Sequence, residues 1–207
     1  MIETIILDLG KVLIDFDHLR AAERISNFCN KTPREIFDLF FISEATILFE
    51  KGKITPEGFY LRVKEILDLR LEYQSFVPIW NDIFFLTATN RAVYSLANNL
   101  RVNYKVALLS NINVLHHEYL KQYFPVFNVF HRVFASYEMG MIKPDQGIYR
   151  KVLEELKVQP ENVFYTDDRQ ELVDSAKDLG INSFLFTSPE QLKQDLADVG
   201  VTVNQYA

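Results

Sequence analysis

The sequence predicts an α/β fold: an open parallel sheet whose strands are joined by helices, with a block of helices inserted after the first strand. Three observations carry this. Apolar strand-like runs at 2–8, 105–109, 131–135, 162–166 and 182–186 alternate with helix-patterned segments, an order that requires crossovers and a parallel sheet. Three of the runs stop abruptly in small polar or acidic residues, at Asp8, at Ser110-Asn111 and at Asp167-Asp168. Between the first run and the second, residues 16 to 90 read as nearly all helix.

The elements follow in chain order. Residues 2–8 are apolar apart from Glu3 and Thr4 before Asp8, which suits a buried parallel strand. Residues 18–29 are helix-patterned. Thr32-Pro33-Arg34-Glu35 combines a capping box with proline at the first helical position, so a helix should run to about 41. Thr55-Pro56-Glu57 repeats the signal, and Phe59, Val63, Ile66 and Leu67 keep helical spacing. Helices are expected at 75–86 and 90–100, a strand at 105–109, a helix at 112–123 and a strand at 131–135. Pro144 is expected to open a helix to Leu156. A strand at 162–166 precedes a helix to Leu179, stopped by Gly180. A strand at 182–186 and a helix from Pro189 complete a Rossmann-like sheet. The predicted division is 1–15 with 91–207 as the α/β core, and 16–90 as a helical cap.

The chain has 207 residues, enough for one sizeable domain or a core with a smaller inserted unit. Hydrophobic residues make up 48%, so a well-packed core is available, and 17 Phe with 10 Tyr suggest bulky interior layers. A net charge of −6 argues against a nucleic-acid partner, which would need a basic face. Cys29 is the single cysteine, so no internal disulfide forms, and it reads as a small buried hydrophobe on a helix. No apolar run approaches the roughly 18 residues that cross a bilayer, and no basic leader precedes an apolar segment. A soluble, cytoplasmic protein is expected, as a monomer or homodimer.

In an open parallel sheet the carboxyl ends of the strands line the ligand crevice. Asp8 can there attack phosphorus as a nucleophile, or simply occupy a turn. Asp167 and Asp168 can hold Mg²⁺ through hard oxygens, although Asp168 with Glu171 also fits a capping box. Ser110-Asn111 offers a hydroxyl and backbone N–H groups to a phosphate, or an N-cap. Lys143, in Gly140-Met141-Ile142-Lys143-Pro144, can offset charge beside a nucleophile, or be solvated ahead of its helix. The adjacent His116-His117 show no spacing that demands zinc, and Trp80 reads as a packing residue.

Taken together, the order apolar-strand-Asp, Ser, Lys-Pro, paired acid resembles the haloacid dehalogenase superfamily over essentially the whole chain. The segment Asp8-Leu9-Gly10-Lys11-Val12-Leu13-Ile14-Asp15 looks closest to a bacterial branch that includes a glucose-1-phosphate phosphatase, related to the phosphatase domain of soluble epoxide hydrolases. The resemblance implies Asp8 as nucleophile and metal ligand, and Ser110 with the Asn111 backbone holding the phosphoryl group. It implies Lys143 as the neutralising cation, Asp168 as a direct Mg²⁺ ligand, Asp167 behind it, and the Gly10 carbonyl on the metal. The substrate it implies is a small phosphorylated metabolite, with sugar phosphates favoured.

Gly10 departs from the superfamily pattern, which has a second Asp there to protonate the leaving group and activate water. Two ways round the loss are expected: a leaving group that departs more readily, such as that of a sugar 1-phosphate, or a stand-in from the cap-side loop such as Asp15 or His18. The cap should close over the crevice, with His18, Arg20, Glu44 and Lys51 as candidate substrate contacts. Two other readings compete: a metal-independent 2-haloacid dehalogenase, and a binding or regulatory module that has lost catalysis. Gly10 and the acid pair oppose the first; Asp8, Ser110, Lys143 and Asp168 together oppose the second.

Overall fold

The computed structural model describes residues 1–203, apart from the side chains of 40–42; the last four residues of the segment assigned to the core lie outside it. Five parallel strands form one sheet: β1 (Thr4–Leu7), β4 (Lys105–Ser110), β5 (Arg132–Ala135), β6 (Val163–Asp167) and β7 (Asn182–Leu185), in the spatial order β5-β4-β1-β6-β7. Alternate residues of each strand face opposite layers. Ile5, Leu7, Val106, Leu108 and Phe164 pack with α6 (Ala88–Leu100) and α11 (Pro189–Asp198). Ile6, Ala107, Leu109 and Tyr165 pack on the other side with α9 (Gln146–Leu156) and α10 (Gln170–Lys177). The α/β expectation is borne out.

Ahead of α6, five further helices lie between the first two sheet strands: α1 (His18–Ser26), α2 (Pro33–Ile42), α3 (Glu44–Glu50), α4 (Pro56–Leu67) and α5 (Tyr73–Asn81). They bury their apolar faces on one another around Phe49, Phe59, Phe76 and Trp80. The Thr32 capping box forms, and Thr55 caps α4. The strand-rich part of this segment is not what periodicity predicts. Residues expected to extend a helix to 86 instead form β3 (Phe84–Phe85), paired antiparallel with β2 (Asp15–Phe16). This ribbon ties together the points where the chain leaves the α/β part and returns to it.

Smaller corrections follow from capping. α7 (Val114–Tyr123) is capped by Asn113, so Ser110 and Asn111 are not caps. α9 begins after Asp145, not at Pro144, because the Asp145 carboxylate takes the Gly147 N–H. α10 is preceded by Arg169, which leaves Asp168 outside the cap role. Cys29 is buried as expected but lies beyond the end of α1, its thiol on the Ile25 carbonyl. A four-residue helix, α8 (Ser136–Met139), follows β5.

Candidate active site

Sheet register brings the chemistry together. Leu7 pairs with Leu108 on one side and with Thr166 on the other. The next residues along, Asp8 and Asp167, therefore stand level at the carboxyl ends of neighbouring strands. Asp8 extends the pairing by donating its N–H to the Thr166 carbonyl at 3.0 Å. Ser110 ends β4 on the opposite side of β1, level with Ala135. Beyond Asp8 the chain turns back tightly: Leu13 and Ile14 both donate to the Leu9 carbonyl, and Lys11 takes a φ of 60°. That turn buries Leu9, Val12, Leu13 and Ile14 in the core, which fixes the base of Asp8.

Lys143 enters from the loop before α9. Its ammonium donates to Asp8 Oδ1 at 2.6 Å, Asp167 Oδ2 at 2.6 Å and the Leu109 carbonyl at 3.0 Å. The Lys143 side chain is 1% exposed. Burial alone would drive its proton off, but the Asp167 and Asp8 carboxylates outweigh burial and shift its pKa upward. Two buried acids thus share one ammonium. Burial, reinforced by the Asp167 charge and opposed by Lys143, raises Asp8 to about 7. Asp168 is half-buried and is raised to about 6 by desolvation and by Asp167. One ligand oxygen from each of Asp8, Asp167 and Asp168 lies within 4.8 Å of the others. An excess of negative charge on hard oxygens at this spacing fits a divalent cation such as Mg²⁺.

The three acids are not equivalent. Asp167 is consumed by the protein: Oδ2 accepts from Lys143 and from the Tyr165 hydroxyl, and Oδ1 from the Arg169 N–H. Asp8 keeps Oδ2 without a hydrogen-bond partner among the described residues. Asn111 does something the sequence did not suggest. Its amide donates to the Lys143 carbonyl and accepts the Lys143 N–H, both at 2.8 Å, locking the lysine's backbone. Asp8, Gly10, Ser110, Asn111, Lys143, Asp167 and Asp168 all line one cavity of about 530 Å³.

Of the residues expected from the cap, His18 lines this cavity, whereas Arg20, Glu44, Lys51 and Asp15 do not. Asp15 instead pairs with Lys11 at 3.2 Å. Burial lowers His18 to about 4, so its imidazole is neutral. Gly10 cannot readily carry a side chain, since a Cβ there would sit 2.8 Å from Phe16 Cε1. The sequence reading missed Thr46, Glu50 and Arg169 on the cavity wall. The adjacency of Arg169 to the acid pair was a usable signal. Glu50 ends a short helix and carried none.

The family model for haloacid dehalogenase-like hydrolases matches residues 2–180. A Bacteroides thetaiotaomicron enzyme of the same family, crystallised with magnesium and inorganic phosphate, is 30% identical, with 91% of this chain and 96% of that one covered and a TM-score of 0.79. D-ribitol-5-phosphate phosphatase from the same organism is 23% identical over 95% of this chain and 97% of its own. Drimenol cyclase drtB of Aspergillus calidoustus is 27% identical over 96% of this chain, which spans 37% of that longer protein. The motif order, the sheet that gathers it and the family match agree: the chain belongs to the haloacid dehalogenase-like hydrolases.

Proposed function

We propose that the protein is a Mg²⁺-dependent phosphatase of a small phosphorylated metabolite, sugar phosphates favoured, acting through an aspartyl-phosphate on Asp8. The observation that carries this is the meeting of Asp8, Asp167, Asp168 and Lys143 at one end of the sheet. The relative named as a ribitol-5-phosphate phosphatase and the relative crystallised with magnesium and phosphate support the substrate class and the metal.

Asp8 attacks phosphorus through Oδ2, the oxygen Lys143 leaves open. Lys143 offsets the charge that accumulates as carboxylate meets phosphate. The Ser110 hydroxyl and the Asn111 backbone hold the non-bridging oxygens, and Asn111 also keeps Lys143 in place. Asp8, Asp168 and the Gly10 carbonyl would hold Mg²⁺, with Asp167 behind them. When bound, Mg²⁺ supplies neutralisation of the phosphate oxygens and of the acid cluster. Water then releases phosphate from Asp8. Helices α1–α5 serve as a cap that excludes bulk water and reads the leaving group. The same Asp8 attack on a carbon–halogen bond would need no metal, and the acid pair would then only add repulsion.

Release of inorganic phosphate is measured on a panel of sugar phosphates, nucleotides and flavin mononucleotide, with Mg²⁺ and with EDTA, beside Asp8→Asn. Turnover that needs both metal and Asp8 is expected, along with a rise in melting temperature on adding Mg²⁺ that Asp168→Asn abolishes. Metal-independent turnover, or none above the Asp8→Asn background, would refute the reading.

A further inference from the structure

Catalysis by phosphoryl transfer to Asp8 leaves two proton transfers without a group at position 10. We propose that Glu50, at the end of α3 in the helical insert, is the general acid and base of this site, a role that rests on the phosphatase reading. Four observations converge on it. Glu50 lines the same cavity as Asp8. Among the described residues its carboxyl group has no hydrogen-bond or ion-pair partner, while its backbone is tightly held. The Ser136 hydroxyl donates to the Glu50 carbonyl at 2.7 Å and accepts the Ile112 N–H at 2.9 Å. One hydroxyl thus fastens the end of α3 to the loop that follows Ser110. Just beyond, Gly52 has a φ of 62°, and a Cβ there would lie 2.2 Å from the Tyr137 carbonyl oxygen. The chain crosses α8 at a distance only glycine allows.

The other titratable groups on the cavity wall are spoken for. His116 has both ring nitrogens engaged, with Asn113 and with the Trp80 carbonyl. Like His18, it is neutral, held at about 3 by burial. Lys11 is bonded to the Phe16 carbonyl and paired with Asp15. Arg169 is paired with Glu171, and Asp167 is saturated. The charged groups that bear on Glu50 are Arg169 and Lys143, both cations. Burial nonetheless dominates and raises its carboxyl group to about 7. Such a group exchanges a proton readily near neutrality.

The proton balance closes. As the Asp8–phosphorus bond forms and the phosphorus–oxygen bond to the leaving group breaks, the electron pair goes to the leaving oxygen, which takes the Glu50 proton. The product alcohol departs and Glu50 is a carboxylate. It then accepts a proton from water as the water oxygen attacks phosphorus. The bond to Asp8 breaks, phosphate leaves, and both acids return to their starting states.

The test compares wild type with Glu50→Gln and Glu50→Asp on the best alkyl or sugar phosphate and on 4-nitrophenyl phosphate, whose leaving group needs no proton. Glu50→Gln is expected to lower kcat/KM for the alkyl ester by about 10²–10⁴-fold while largely sparing the aryl ester. It should also produce a burst of 4-nitrophenolate as phosphorylated Asp8 accumulates, and Glu50→Asp should recover part of the loss. Equal losses on both esters, a loss confined to KM, or no loss at all would overturn the role of Glu50 and leave the phosphatase reading standing. A wild-type enzyme that releases no phosphate from any ester would overturn both.

Discussion

Replacing Lys143 by Met removes the ammonium while keeping most of the side-chain volume. Three acceptors lose a donor, Asp8 Oδ1, Asp167 Oδ2 and the Leu109 carbonyl, and Asp167 Oδ2 keeps only the Tyr165 hydroxyl. Breaking a buried ion pair by deleting one partner costs about 3–5 kcal/mol. Two acids are stranded here, but the cost is not double. Asp8 already titrates near 7 and takes up a proton once the ammonium is gone, which leaves one uncompensated charge, on Asp167. For a chain of this length about 1 kcal/mol moves the melting temperature by roughly 2–4 °C, so the variant should melt about 6–20 °C below wild type.

The pH dependence has a definite sign. Asp8 in the variant keeps a proton in the folded state that the unfolded chain, with Asp near 3.9, has released, whereas wild-type Asp8 gives it up near 7. Stability of the variant therefore falls as pH rises, and the gap to wild type is widest near pH 8 and narrow near pH 5. Thermal unfolding without added metal, at both pH values, reads this directly. Adding Asp167→Asn to Lys143→Met should restore more than half of the loss at the higher pH. A variant melting within about 2 °C of wild type, or a gap indifferent to pH, would refute the view of Lys143 as the counter-charge of a buried acid pair.

Two further outcomes follow from the same geometry. Gly10→Asp forces a Cβ to within 2.8 Å of Phe16 Cε1, and overpacking of this kind costs about 1–3 kcal/mol. It should lower the melting temperature without raising phosphate release, and Phe16→Ala should relieve the loss; a stable and more active single variant would contradict this. His116 is held at about 3 against an ordinary 6.5, so the unfolded chain takes up a proton that the folded one refuses. Its contribution is complete above about pH 6.5 and is lost as pH falls toward 3. In that window His116→Gln should make the stability slope shallower by about 1.4 kcal/mol per pH unit. An unchanged slope in urea titrations would count against it.

The features legible in the sequence were those with a repeating or local signature. The runs ending at Asp8, Ser110 and Asp167 mark buried parallel strands, and the sheet then had to bring those ends together. Thr32 and Thr55 announce their helices because a cap needs only neighbours in sequence. What escaped notice depends on distant contacts. Phe84-Phe85 reads as more helix until Asp15-Phe16 pairs with it. The bond pair between Asn111 and Lys143 joins residues far apart in sequence. Glu50 looks like any solvated helix-end acid, and only the tertiary fold half-buries it on the cavity wall.

The β2–β3 ribbon has a consequence for how this fold varies. Because Asp15 and Phe85 are partners, everything between 17 and 83 is, from the sheet's side, an overgrown hairpin turn. The entropy of closing a loop grows only slowly with its length, so the strand order and the acid cluster are nearly indifferent to what the turn contains. Lineages of such a chain are free to exchange or enlarge the excursion while the reacting end of the sheet stays as it is. Selectivity and the acid–lysine cluster can then evolve on separate clocks, while the acid–base group proposed at Glu50 travels with the excursion.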